Sequence, residues 1–157
     1  MKTLYVLSVL VLIVGCSSSG EKLYFESFDK GWSQKKEVVF DFYNAEPSEA
    51  IHLFLYIRNN EKYPFANIHL VAQLKDPLGT TITDTLTYRL AAPDGRWLGK
   101  GMLSKESKLW YKENLVLPYI GTYEIRVLPA MRYNENIAPL ELLPGVVAAG
   151  FGVEKAQ

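Results

Sequence analysis

Two histidines, one cysteine, three tryptophans and scattered carboxylates are the residues of this 157-residue chain that could do chemistry. His52 and His69 each lie in a run of alternating apolar residues, 51–58 and 67–74. The simplest pairing of those runs is a hairpin with a long loop, which sets His69 opposite Tyr56 and His52 opposite Gln73. Both histidines then share a face but stand about 13 Å apart, at a rise of ~3.3 Å per residue. A zinc ion holds its donors at about 2.1 Å, so this register makes no two-histidine site. For acyl transfer there is no Gly-x-Ser-x-Gly elbow, and no serine or threonine has a histidine near it in sequence. Asp84 and Asp94 flank a turn and read as solvated loop carboxylates, and nothing selects a glycosidase-type pair. No catalytic residue, metal or cofactor is therefore expected.

Binding is the other chemistry to weigh. Trp32, Trp97 and Trp110 could form a platform that stacks on sugar rings, as in carbohydrate-binding modules built on β-sandwiches. The plainer reading, preferred here, makes them core or edge covers, because tryptophan rarely stays exposed without a partner. Arg58 and Arg132 stand at strand ends beside polar loops, where a guanidinium either grips an acidic partner or caps edge carbonyls.

Cys16 carries the strongest signal. Met1-Lys2-Thr3 is a short positive start, residues 4–14 are almost all apolar, and Ile13-Val14-Gly15-Cys16 has the form of a bacterial lipobox. The apolar run is about half of the ~20 residues that a membrane-spanning helix needs. It reads as a signal peptide, residues 1–15, that is removed. Cys16 would then be diacylated on sulfur and acylated on its new amine, since stable anchoring takes more than one chain. As the only cysteine it makes no intramolecular disulfide. Ser17 follows it, the pattern of outer-membrane sorting, and no acidic run follows that would point to surface export. The periplasmic leaflet is the expected side.

The elements behind these residues are strands. About 140 residues remain after residue 15, the size of one domain. Charges balance at 17 basic and 17 acidic, which gives no basis for a nucleic-acid face. The 48% hydrophobic content suffices for a full core. Residues 21–35 read as a lead-in or edge strand whose aromatics cover the core. Period-2 runs follow at 38–42, 51–57 and 68–74, then a Thr-rich strand 80–90, strands 108–117 and from 121, and a short Gly-broken strand at 146–153. Glu46-Pro47, Tyr63-Pro64, Asp76-Pro77-Leu78-Gly79 and Ala92-Pro93-Asp94-Gly95 break them. In Gly95-Arg96-Trp97-Leu98-Gly99-Lys100-Gly101 three glycines let backbone approach backbone, with Trp97 placed as a plug. About eight strands without helical period predict an all-β fold, a single antiparallel β-sandwich over 36–157 of jelly-roll or immunoglobulin-like topology. Residues 16–35 form the lipidated Cys16, tether and lead-in.

An ordered set of motifs runs along nearly the whole mature chain. It comprises Cys16, Trp32, Phe40-x-Phe42, Ile57-Arg58-Asn59, Tyr63-Pro64-x-x-Asn67, Asp84-Thr85, the Gly95–Gly101 stretch, Gly121-x-Tyr123, Ala130-Met131-Arg132 and Gly150-Phe151-Gly152-Val153. In this the chain resembles the gliding-motility lipoprotein GldH family of Bacteroidetes. It departs from the family pattern at Pro129 and in the loop from Asn134 to Pro144. The resemblance implies a non-catalytic envelope lipoprotein, held in the bilayer by acylated Cys16, with protein partners in the gliding apparatus and its linked secretion system. The expected contact surface is the Arg58–Asn67 loop and the Gly95–Gly101 stretch at one end of the sandwich: Arg58, Asn59, Tyr63, Asn67, Arg96, Trp97 and Arg132. A small-molecule ligand is not expected, and a glycan is the alternative partner.

Overall fold

A computed structural model describes residues 22–132 and 140–156 of the chain. The signal peptide, Cys16, the tether and the 133–139 part of the late loop lie outside the described residues. The described residues hold ten strands: β1 (Lys22–Ser27), β2 (Trp32–Ser33), β3 (Val38–Asn44), β4 (Ala50–Asn59), β5 (Asn67–Lys75), β6 (Thr81–Arg89), β7 (Lys105–Val116), β8 (Gly121–Pro129), β9 (Leu142–Leu143) and β10 (Val146–Lys155). Eight of them form two four-stranded antiparallel sheets, β1-β10-β4-β7 and β3-β8-β5-β6, while β2 and β9 pair as a small separate ribbon. The protein is an all-β sandwich.

The pairing order selects between the two topologies. The pairs β1·β10, β3·β8, β4·β7 and β5·β6 are nested, first strand with last and innermost with innermost, and they alternate between the sheets. That is one long antiparallel hairpin rolled up, the winding of a jelly roll. The expected hairpin of residues 51–58 on 67–74 is therefore wrong. β4 pairs with β10 and β7, and β5 with β6 and β8, in the opposite sheet. Residues 60–66 carry the chain across the ~10 Å between sheets instead of turning it back within one. His52 and His69 consequently lie in different sheets, near opposite ends of the strands. His52 accepts the Asn114 amide through Nδ1, and His69 is hydrogen-bonded to Thr87 Oγ1.

Alternation writes the core. Phe40 and Phe42 of β3, Leu53, Leu55 and Ile57 of β4, Leu70 and Ala72 of β5, Tyr123 and Ile125 of β8, and Phe151 of β10 are buried between the sheets. Phe151 meets both Phe40 and Phe42. The edge-strand reading of 21–35 holds for β1, which pairs with β10 along its length. The final strand is no short appendage: β10 runs ten residues between β1 and β4. Its Gly150 has a structural reason. A Cβ there would meet the Phe25 ring at 2.6 Å and the Tyr24 carbonyl at 2.8 Å. Rings from the flanking strands thus lie down over β10 on the outer face. Phe25 packs edge-on to Tyr56, Arg58 sits 4.0 Å over Phe25, and Lys108 sits 4.0 Å over Phe54. Cations over ring faces with their aliphatic stems laid on apolar surface explain how Phe54 and Tyr56 are buried on a nominally outer face.

Along one side the two sheets are tied edge to edge. Asp84 of β6 accepts hydrogen bonds from Tyr111 Oη (3.0 Å) and Lys112 Nζ (2.9 Å) of β7, and Tyr88 Oη donates to the Trp110 carbonyl at 2.6 Å. Asp84 is thus a mid-strand bridge between sheets, not the solvated loop carboxylate expected from sequence. Asp94 does sit in an exposed turn, accepting the Arg96 amide.

Candidate interaction surface

Strand direction sorts the loops into two ends. β1 begins, and β10 finishes, at the end that carries residues 45–49, 76–80 and 117–120. The opposite end gathers residues 28–37, 60–66, 90–104 and the described parts of the connection from β8 to β10, 130–132 and 140–145. All seven expected contact residues lie at this second end, where the 58–67 loop and the 95–101 stretch are brought by the crossing between sheets and not by the expected hairpin. A shallow groove runs between Asn59, Asn60, Glu61 and Lys62 on one side and Met102, Leu103, Ser104 and Lys105, just past the 95–101 stretch, on the other.

Their roles differ. Tyr63 is buried and plugs the end. Its Oη donates to the Asn67 carbonyl (2.8 Å), and its ring packs 5.6 Å from Phe65 and 6.3 Å from Trp97. Burial pushes its phenol well above the usual range, so it stays neutral. Asn59 is buried as well, beside Asn60, whose amide donates to the Gly145 carbonyl. Neither side chain is part of the exposed surface, which corrects the sequence reading for both. Asparagine and tyrosine at a loop mark a contact surface and a loop anchor equally well in sequence. Asn67 is half-buried, and its side-chain amide lies 3.3 Å from His69 Nε2. Arg58 is committed to Glu106 (2.6 Å) and to Phe25.

What remains outward is Arg96, Arg132 and one edge of Trp97. Arg96 stands in a turn closed by Gly95 N–H to the Ala92 carbonyl and Ala92 N–H to the Arg96 carbonyl. Trp97 bridges Ala91, and Lys100 pairs with Glu106 through two backbone hydrogen bonds of 2.9 and 2.8 Å. Gly99 lies between these bridges, where a Cβ would meet the Glu106 carbonyl oxygen at 2.8 Å. The expected close approach of backbone to backbone is real at that residue. The stretch therefore holds a rigid arm that ends in Met102 and Leu103, 96% and 95% exposed. Sequence reasoning passed over this pair, although two adjacent apolar residues beside Gly101 and Ser104 at a loop tip were there to be read.

The three tryptophans make no common platform. Trp32 is buried, stacked 5.3 Å from Phe28 with its Nε1–H donating to the Lys36 carbonyl. Trp97 packs on Tyr63 at the loop end. Trp110 is 52% exposed on the outer face of the other sheet, against Phe54 and His52.

With this geometry in place, comparison with known proteins gives the family. The family model described as GldH lipoprotein matches residues 23–153, nearly the whole described sandwich. The chain belongs to the GldH lipoprotein family. It is 36% identical over 152 residues to the gliding motility lipoprotein GldH homolog of Christiangramia forsetii, covering 95% of this chain and 93% of that one. It is 33% identical over 146 residues to the gliding motility lipoprotein GldH of Flavobacterium johnsoniae, covering 92% and 91%. Among solved structures, the infectious bursal disease virus VP2 subviral particle matches at a TM-score of 0.41 and 11% identity. That match covers 97% of this chain but only 37% of the viral one, and nothing about this chain follows from it.

Proposed function

We propose that this GldH-family chain is a non-catalytic envelope lipoprotein of the gliding apparatus or its linked protein-secretion machinery. On this reading Cys16, acylated, holds it in the periplasmic leaflet of the outer membrane, and the end carrying Arg96, Trp97, Met102, Leu103 and Arg132 docks on a protein partner. The names of two relatives aligned over more than nine-tenths of their length favour the setting. The observation that carries the docking role is the arm 96–103, braced by four backbone hydrogen bonds and ending in two almost fully exposed apolar side chains. Exposed apolar groups beside a groove that also carries Glu61, Lys62 and Lys105 suit a protein partner with an apolar pocket and a polar rim.

The test is co-purification from cells of the anchored protein and of a variant with M102S, L103S, R96A and R132A. These side chains are exposed, so the variant should unfold at the same denaturant midpoint as the wild type. The expected outcome is loss of the co-purifying envelope protein with membrane attachment retained. Unchanged co-purification would assign docking elsewhere.

A further inference from the structure

The end of the sandwich opposite the arm is also apolar, and its exposed residues come from loops that the chain holds rigidly. Leu78 is 70% exposed at the tip of the β5–β6 turn. Asp76 fixes that turn: its Oδ1 accepts the amides of Leu78 (2.9 Å) and Thr80 (2.8 Å), and its carbonyl accepts Gly79 N–H. With the backbone amides satisfied inward, the Leu78 side chain points to solvent. Ile120 is 60% exposed at the tip of the β7–β8 turn, beside Tyr119. The Tyr119 carbonyl accepts from Asn44 Nδ2 (3.0 Å) and from Tyr123 Oη (3.2 Å), so this turn too is pinned from inside. The two turns abut, since a Cβ on Gly121 would lie 2.9 Å from Pro77 Cγ. Tyr43 and Val116, each at or next to the last residue of its strand, extend the same rim.

This is also the end at which the chain arrives from Cys16. Five residues lie between Cys16 and Lys22, the first residue of β1. Fully extended, the six steps from Cys16 to Lys22 reach about 20 Å, at ~3.3–3.6 Å each. β4, ten residues long, spans about 30 Å at ~3.3 Å per residue, so the arm lies well beyond the reach of the tether when the strands stand upright. Lys155 at the rim bonds Glu49 at 2.6 Å and approaches Glu46 at 3.6 Å, while Lys22, Lys75 and Glu113 are exposed beside it. The rim thus shows a bilayer apolar tips, tyrosines and lysines that suit headgroup phosphates, the composition of an interfacial contact.

The geometry points to the lipid bilayer itself as the occupant of this rim. Leu78, Tyr119 and Ile120 seat in the headgroup and upper acyl region, the strands stand roughly along the membrane normal, and the arm at 96–103 is held away from the surface. The inference rests on acylation of Cys16. It adds an orientation to what would otherwise be a freely tumbling tethered domain.

The test uses the processed lipoprotein in vesicles of phosphatidylethanolamine and phosphatidylglycerol. Acylated Cys16 has no free thiol, so L78C, I120C and M102C each offer one site for an environment-sensitive thiol-reactive dye. Nitroxide-bearing lipids then report depth. The expected result is blue-shifted emission at 78 and 120, with lipid quenching several-fold stronger than at 102. If the unmutated protein takes dye at Cys16 and fails to float with vesicles, the acylation reading is wrong and this inference goes with it. If it floats but 78 and 120 are quenched no more than 102, the anchor stands and the seated orientation is overturned. Blue-shifted emission at 78 and 120 without lipid quenching would put a second copy of the chain on the rim and also overturn it.

Discussion

At the residue scale, side chains that look reactive turn out to be structural, and environment decides which. Asp84 is held below the usual carboxylate range first by the Lys112 ammonium and also by the Tyr111 hydroxyl. Burial, and after it the same carboxylate, push the Tyr88 phenol up to about 12. Because the folded-state pKa of Asp84 is depressed, its stabilisation is present above the unfolded value of about 3.9 and is lost as pH falls below it. D84N should therefore cost about 1–2 kcal/mol at neutral pH, the range for hydrogen bonds to a charged group with partial exposure. Urea unfolding should show the gap between D84N and the wild type closing as pH is lowered toward 3. A gap that widened on acidification would contradict the assigned sign. Tyr63 tests the loop anchor. Y63F, which removes only the hydrogen bond to the Asn67 carbonyl, should cost about 1 kcal/mol, whereas Y63A should cost about 3–5 kcal/mol by emptying an aromatic site. Cys16 belongs to the same scale: C16S should move the protein from the membrane to the soluble fraction on cell fractionation, and a membrane-bound C16S protein would refute the anchor.

At the element scale, the sheets follow from period-2 patterning, but their partners do not. Phe40 and Phe42, or Leu70 and Ala72, announce inward faces in the sequence because the pleat alternates strictly. Which strand lies beside β4 is another matter. Residues 60–66 carry Tyr63-Pro64, which the sequence marks only as a break. Whether the chain turns back or crosses to the other sheet depends on a plug that Tyr63 forms with Phe65 of the same loop and with Trp97 from a distant segment. Asp84 was misplaced for the same reason, since its partners Tyr111 and Lys112 are neighbours only after the sheets close on one another. The glycines of β10 show the reverse situation. They look like weaknesses in a strand, yet Gly150 makes room for Phe25 on the neighbouring strand. G150A should destabilise the protein by about 1–3 kcal/mol through overpacking, measured as a lowered denaturant midpoint with unchanged slope. A neutral G150A would mean that the Phe25 ring moves aside at no cost.

At the scale of the whole molecule, the nested winding matters because it gives the sandwich two distinct ends. One receives the chain from Cys16 and shows Leu78 and Ile120. The other gathers the 58–67 loop and the braced arm that ends in Met102 and Leu103. The motifs that identify the GldH family were legible as an ordered set, and the two loops they include lie at one end although the hairpin expected to bring them there does not form. Their individual roles were not legible. Asn59 and Tyr63 build that end from within, Arg58 serves Glu106 and Phe25, and the most exposed apolar pair lies just past the Gly95–Gly101 motif. Site-specific crosslinking in cells tests docking at this end. A photoreactive residue at 102 should trap one discrete envelope protein partner, and the same residue at Thr85, exposed in the middle of β6, should trap none. Equal trapping at both positions, or trapping at 85 alone, would contradict the assignment of the arm as the docking end.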